Sequence, residues 1–176
     1  MADLHYKSVT ITNAEATQQT LASGTSVGGR LREIIESHEL TTADAADSTI
    51  RYFRVYSGWR VSSLQIFSDL CSNVTATDTG TIDVGLYDTT ENGGAEVDLD
   101  FFAAEFSIKA AAQNGTDITY QSGVAVVDRP DYDLPLWGQL GLTSDPRKWY
   151  DVVVTVHEVV EVNGTVCLLL RYSDGT

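Results

Sequence analysis

Short runs with a two-residue period constrain the fold of this chain more than any other feature. In the run from Gly80 to Tyr87, every second residue from Ile82 onward is a large aliphatic one. Successive side chains of a strand point to opposite faces, so this period predicts a half-buried strand. Similar runs rich in β-branched and aromatic residues are Thr49 to Tyr56, Val61 to Cys71, Tyr150 to Val162 and Thr165 to Tyr172. Together they predict an all-β antiparallel sandwich.

Turn dipeptides separate several of these runs. Asn92-Gly93, Asn114-Gly115 and Asn163-Gly164 each combine two residues that tolerate the positive φ of tight hairpin turns. The last dipeptide lies directly between two apolar, β-branched runs. It therefore predicts that the chain closes on an antiparallel hairpin.

Three segments carry helical features. From Arg30 to Leu40 the apolar residues fall at helical spacing, whereas the neighbouring segments have strand patterns. On the period alone a helix is favoured for this segment. Asp98 to Phe106, with Asp98 or Asp100 as the N-cap, and Leu134 to Leu142 are predicted as short helices in the connections of the sandwich.

The first 29 residues differ in composition from the rest. Asn13 to Gly29 is rich in Ala, Thr, Gln, Ser and Gly, which is typical of a linker or an extended arm. Ahead of it, Leu4, Tyr6, Val9 and Ile11 stand among polar residues and form either an edge strand or an ordered tail. We therefore predict an N-terminal arm, residues 1–29, whose four apolar residues contact a partner, and a β-sandwich domain, residues 30–176.

The charge of the chain excludes two classes of partner. With 25 acidic and 11 basic residues, its net charge of -14 repels phosphate backbones and anionic lipid headgroups. We expect no nucleic acid and no membrane partner. Met1 to Thr12 lacks the features of a secretion signal, so Cys71 and Cys167 are more simply interpreted as reduced core residues than as a disulfide.

Motifs that carry chemistry are missing from the sequence. The three histidines, His5, His38 and His157, have no metal-ligand spacing, and there is no nucleophile elbow, Walker loop or dinucleotide fingerprint. We expect no enzymatic activity and no cofactor. The acidic segment from Asp88 to Asp100 offers oxygen ligands for calcium, but it lacks a recognised coordination spacing and is better interpreted as a solvated hairpin tip.

The aromatic residues leave two interpretations open. Three tryptophans and eight tyrosines could supply a platform on which sugar rings stack, as in a carbohydrate- or receptor-binding module of a virion fibre or tail. Single aromatic residues at strand and loop ends more often cover a core or lie in a protein interface. The second interpretation is favoured.

Several segments of the sequence resemble a known group of proteins. They are Ser48 to Val55, Trp59 to Phe67, Gly80 to Asp88, Tyr150 to Val156 and Leu168 to Thr176. Together they resemble the small virion structural proteins of tailed bacteriophages, of the head decoration or cement type. The resemblance implies a jelly-roll sandwich, and it favours a strand for Arg30 to Leu40.

That resemblance also carries functional expectations. It implies a protein made in the host cytoplasm that binds the outer surface of the capsid in many copies and has no enzymatic activity. Its partners would be the major capsid protein and further copies of itself, with a trimer favoured. The arm residues Leu4, Tyr6, Val9 and Ile11 would then contact the capsid or a neighbouring protomer.

Overall fold

Eight strands form two stacked antiparallel sheets. The structure, a computed structural model, describes residues 30–71, 80–109, 112–119, 133–157 and 160–174, together with Glu15. The strands are β1 (Leu31–Leu40), β2 (Thr49–Tyr56), β3 (Arg60–Ser68), β4 (Thr81–Asp88), β5 (Glu96–Ser107), β6 (Gln113–Asp117), β7 (Trp149–Val156) and β8 (Gly164–Ser173). Sheet A has the order β1-β8-β3-β6 and sheet B the order β2-β7-β4-β5.

The pairing scheme is that of a jelly roll. Strand β1 pairs with β8, β2 with β7, β3 with β6 and β4 with β5, all antiparallel. The chain therefore behaves as one long hairpin whose successive pairs alternate between the two sheets. β8 also pairs with β3, and β7 also pairs with β4, so each sheet contains four strands in a row. The predicted all-β, jelly-roll sandwich is confirmed.

The core lies between the inner faces of the two sheets. Sheet A contributes fully buried aliphatic side chains such as Leu64, Ile66, Leu168 and Leu170, and sheet B contributes Val84, Leu86, Val152 and Val154. In β8 the buried and partly exposed residues alternate strictly, as expected for a strand with one face on the core. The central strands β4 and β7 are buried on nearly their whole length.

Within the described connections, two short helical turns occur. A 3₁₀ turn at Thr90–Asn92 joins β4 to β5, and Gly93 follows it with a φ of 96°. Gly93 adopts this positive φ without strain because it has no Cβ. The predicted Asn92-Gly93 turn is confirmed. A single α-helical turn, α1 (Leu136–Gln139), lies within the predicted helix from Leu134 to Leu142. No helix in the described part of the chain is long and apolar enough to cross a bilayer.

The ambiguous segment from Arg30 to Leu40 is a strand. It forms β1, as the resemblance to the phage proteins favoured, and the helical spacing of its apolar residues is misleading. This spacing arises because β1 lies at the edge of sheet A, where the inner face is poorly covered and only Leu40 is fully buried. An edge strand therefore lacks a strict period of two.

The helix predicted for Asp98 to Phe106 is wrong. This segment lies in β5, whose pairing with β4 contains three register shifts. Such bulges change which face a residue occupies. As a consequence Phe101, Phe102 and Ala103 are buried in succession, and the two-residue period is lost.

Two of the predicted turns have another role. Asn163-Gly164 does not form a terminal hairpin, because β7 belongs to sheet B and β8 to sheet A. Asn114-Gly115 lies inside β6, where Gly115 has a φ of 77° opposite a register shift in β3. It is a bulge and not a hairpin turn. The division at residue 29 stays a prediction, since β1 begins at Leu31 and only Glu15 of the arm is described.

Candidate protein-interaction surfaces

The four predicted contact residues of the arm, Leu4, Tyr6, Val9 and Ile11, lie outside the described residues. Their role therefore stays a prediction. The described part of the chain presents two other surfaces suited to contact, one aromatic and one aliphatic.

Four aromatic side chains from distant parts of the sequence meet at one end of the sandwich, which we call the aromatic end: Tyr56, Trp59, Trp149 and Tyr172. The ring of Trp59 stacks on that of Tyr172, with centroids 3.9 Å apart and planes at 18°. Trp149 packs against Trp59 at 5.3 Å and against Tyr56 at 5.4 Å. Trp149 remains 45% exposed, so the cluster supports one accessible indole.

The backbone holds this cluster in a fixed position. Tyr56 ends β2 and Trp59 precedes β3, so both flank one tight connection. Helix α1 packs against that connection: the Leu136 N–H donates to the Trp59 carbonyl at 2.9 Å, and the Trp137 N–H donates to the Ser57 carbonyl at 3.0 Å. Leu136 itself is fully buried. An exposed tryptophan on a rigid support loses little entropy when a partner covers it.

Charges of both signs surround the aromatic end. Six of the eleven basic residues lie at or near it: Arg30, Arg32, Arg60, Arg147, Lys148 and Arg171. Three of these cations pair with carboxylates, Lys148 with Asp88, Arg32 with Asp174 and Arg171 with Glu33. Trp149 is therefore an exposed aromatic side chain within a polar, ion-paired rim.

The acidic segment from Asp88 to Asp100 binds side chains of neighbouring strands. Asp88 pairs with Lys148 at 2.6 Å, and Glu91 pairs with Arg54 at 2.7 Å. Arg51 donates to the carbonyls of Asp88 and Gly94, both at 2.9 Å. These bonds fix the hairpin tip against β2. The tip is thus ordered by arginine and lysine side chains.

No group of three or more His, Cys, Asp or Glu side chains within the described ranges is arranged to hold a metal ion. His157 Nε2 lies 2.7 Å from Asp83 Oδ2, and Asp83 is nearly fully buried. The other oxygen of Asp83 accepts a 2.7 Å bond from the N–H of Glu105, whose φ is 46°. This carboxylate therefore stabilises a strained bulge in β5.

The two cysteines are not bonded to each other. Cys71 is buried and Cys167 is partly exposed. Burial raises the pKa of the Cys71 thiol to about 11, and the Asp69 carboxylate adds to the shift. Burial also raises the pKa of Cys167. Both thiols are therefore protonated at neutral pH and are poor nucleophiles. The predicted core position holds for Cys71, whereas Cys167 lies on the outer face of sheet A.

An aliphatic surface covers part of the outer face of sheet A. We call it the apolar stripe, and it consists of Leu31, Ile35, Phe67, Cys167 and Leu169, with the Glu33–Arg171 ion pair between Leu31 and the other four. Ile35 lies opposite Leu169 and Cys167 lies opposite Phe67, so these side chains are neighbours on one face. Leu31 and Ile35 are each 61% exposed. The stripe ends at β1, which has β8 as its one neighbour among the described strands.

Sequence reasoning did not identify either surface. Trp59 and Tyr172 are brought together only by the pairing of β3 with β8, which no local pattern shows. The signal for the stripe was present in the odd-numbered apolar residues of β1, Leu31 and Ile35. It was obscured by Ile34, which points inward and packs against the core.

Neither a protein-family model nor a curated protein sequence matches this chain. Solved structures do match its fold. A chain of the Ralstonia phage GP4 capsid is 17% identical with a TM-score of 0.60, over 84% of this chain and 86% of that one. A chain of the cyanophage Pam1 capsid asymmetric unit is 16% identical with a TM-score of 0.55, over 91% and 94%. In its fold, the chain resembles proteins found in phage capsid structures.

Proposed function

We propose that this protein is a structural component of a phage virion, and that it decorates the head by binding the major capsid protein. The observation that carries the proposal is the extent of the structural likeness. It spans 91% of this chain and 94% of a chain from the Pam1 capsid, which supports a similar fold over nearly the whole length of both. The proposed role is contact between proteins, without catalysis or a cofactor.

Decoration requires many modest contacts repeated over a symmetric lattice. Multivalent attachment of this kind can stabilise a shell although each contact is weak. The aromatic end is suited to supply one contact per copy, because Trp149 is exposed on a rigid support. Exposed tryptophans with polar surroundings are frequent anchors of protein interfaces.

Co-sedimentation with heads assembled without this protein tests the proposal. We expect the wild-type protein to pellet with the heads, and Trp149→Ser to bind at least about tenfold more weakly. Val162→Ser is the matched control, because Val162 is 39% exposed and lies at the opposite end of the sandwich. Absence of binding by the wild-type protein, together with its absence from purified virions, would contradict the proposal.

A second candidate function rests on the same cluster. Trp149 and Tyr56 form a partly exposed aromatic pair beside polar groups, with Ser57 donating a hydrogen bond to Asp145. Such an arrangement can bind a sugar ring by stacking. A glycan array distinguishes the two functions. Glycan binding that disappears in Trp149→Ser, without any binding to heads, would favour a carbohydrate- or receptor-binding module.

A further inference from the structure

The two sheets have four edge strands, and three of them are irregular. Edge strand β2 has a register shift between Arg51 and Phe53 in its pairing with β7. The β3–β6 pairing has one between Ile66 and Phe67, and the β4–β5 pairing has three. Strand β1 pairs with β8 over ten consecutive residues without a shift. It is therefore the one long and regular edge among the described strands.

Soluble proteins commonly disrupt exposed edges with bulges, because a regular edge with free N–H and C=O groups binds further strands. β1 lacks such a bulge, and it also exposes aliphatic side chains. Leu31 and Ile35 are each 61% exposed and begin the apolar stripe that continues through Leu169. Among the described strands only β8 pairs with β1, so a strand added on the other side of β1 would bond to its outer backbone groups and extend the stripe.

The arm supplies a segment that fits this edge. Residues Leu4 to Ile11 match the ten residues of β1 in length within two residues. In an extended segment Leu4 and Tyr6 face one side, and Val9 and Ile11 face the other. β1 likewise presents aliphatic side chains on both sides, with Ile35 outward and Ile34 inward.

Charge favours the arm over other segments of this acidic chain. β1 carries three glutamates, at positions 33, 36 and 39, which repel an acidic strand. The arm has only three charged residues among its 29, and one of them, Lys7, lies inside the apolar segment. An approaching arm is therefore not repelled by β1.

We propose that residues Leu4 to Ile11 of one copy add as a strand to the free edge of β1 in a second copy. The 18 residues from Thr12 to Gly29 have the composition of a linker and can span roughly 60 Å when extended. Pairing within one chain would fold them into a single long irregular loop, which is uncommon in compact domains. Donation from copy to copy forms a closed ring when the rotation between neighbouring copies closes, and closed oligomers are the form that we expect.

This inference does not rest on the proposed function, and its test uses no capsid. Two full-length variants test the donated arm and the receiving edge of β1 independently. Ile35→Lys places a charge at the receiving edge and leaves the arm intact. Replacement of Leu4, Tyr6, Val9 and Ile11 by serine disables the arm and leaves the edge intact. Val97→Lys is the matched control, since Val97 is an exposed aliphatic residue on edge strand β5.

Light scattering during size-exclusion chromatography gives the oligomeric state. We expect the wild-type protein and Val97→Lys to form closed oligomers, and each of the other two variants to be monomeric. A mixture of those two variants should form a complex with one copy of each, because Ile35→Lys still has an intact arm and the arm variant still has an intact β1 edge. A synthetic peptide of residues 1–12 should bind the arm variant at least about tenfold more tightly than the same variant carrying Ile35→Lys.

Three outcomes would overturn the inference. The wild-type protein could be monomeric, the mixture could stay monomeric, or Ile35→Lys could assemble as the wild-type protein does. Circular dichroism and thermal melts of each variant establish that a monomer is folded. If Ile35→Lys is unstable, binding of the peptide to the arm variant alone measures the unaltered edge directly, and absence of that binding would also overturn the inference.

Discussion

The Asp151 carboxylate accepts a 2.8 Å hydrogen bond from the Arg51 guanidinium, which joins β7 to β2. Its other oxygen lies 3.2 Å from Arg54 Nε, so one buried carboxylate contacts two arginines. Arg51 also binds the carbonyl oxygens of Asp88 and Gly94. The pair therefore connects three strands and the β4–β5 turn.

Replacing this carboxylate tests the connection. We expect Asp151→Asn to lower the free energy of unfolding by roughly 2 kcal/mol. This is less than the value for a fully buried pair, because Arg51 and Arg54 are partly exposed. The measurement is urea unfolding followed by circular dichroism. Glu33→Gln, in the exposed pair with Arg171, is the control and should cost less than about 1 kcal/mol. Equal losses of unfolding free energy in Asp151→Asn and Glu33→Gln would contradict the expectation.

Gly85 in β4 has no room for a side chain. A Cβ at this position would lie 2.1 Å from the Leu99 carbonyl oxygen and 2.3 Å from that of Asp98. Both contacts are with backbone, which cannot move aside without breaking the β4–β5 pairing. We expect Gly85→Ala to destabilise the domain by at least about 3 kcal/mol or to prevent folding.

Gly58→Ala is the control for this prediction. Its Cβ would meet only the Tyr56 ring at 3.3 Å and the Asp145 carboxylate at 3.4 Å. In thermal melts, the melting temperature of Gly85→Ala should lie clearly below that of Gly58→Ala. A Gly85→Ala protein that melts with the wild type would show that β5 can withdraw from β4.

Asp98 should make the stability depend on pH. Burial, with the neighbouring Asp100 carboxylate next in effect, raises the pKa of Asp98 from its ordinary value of 3.8 to about 6. The folded state thus binds this proton more tightly than the unfolded state. The contribution to stability is complete below the unfolded pKa and is lost as the pH rises through about 6.

We therefore expect Asp98→Asn to melt at a higher temperature than the wild type at pH 7, and this difference to shrink toward pH 4. The exposed neighbour Glu96 supplies the control variant, Glu96→Gln, for the change in net charge. Melts at several pH values measure the difference between each variant and the wild type. A constant difference for Asp98→Asn would argue against the raised pKa.

Calcium should have little effect on the hairpin tip. Asp88 and Glu91 already pair with Lys148 and Arg54, so binding an ion would require these bonds to break. Thermal melts in calcium and in a chelator are expected to coincide. A stabilisation of several kcal/mol at saturating calcium would show that the carboxylates of this segment form a site.

Removal of the arm should leave the sandwich stable. All buried aliphatic and aromatic residues among those described lie between Leu40 and Tyr172. A chain beginning at Gly29 should therefore unfold within about 1 kcal/mol of the full-length protein, when both are measured at a dilution that disfavours association. A collapse of the melting temperature would identify the arm as part of the core.

Local sequence patterns predicted the strands well where one face of the strand is buried. β2 extends over Thr49–Tyr56, as the density of β-branched and aromatic residues indicated. The pattern failed in β5, because consecutive buried residues at the bulges imitate the apolar side of a helix. Local patterns of apolar residues reflect which side chains are buried. A bulge changes which side chains are buried, although the segment remains a strand.

The pairing of the strands was less accessible from the sequence. The Asn163-Gly164 dipeptide predicted a turn but could not indicate that β7 and β8 enter different sheets. The aromatic end depends on this long-range pairing, since Trp59 meets Tyr172 across more than a hundred residues. Local propensity says little about such contacts, and they were found only in the structure.

The position of β8 has a consequence for synthesis on the ribosome. Among the described strands, β1 and β3 are joined only through β8, which is made after the other seven. Similarly, β2 and β4 are joined only through β7. Sheet A therefore cannot be completed until Ser173 has left the exit tunnel. Until then β1 has to wait without its partner, and a chain that stops before Gly164 would lack the centre of a sheet and not its margin.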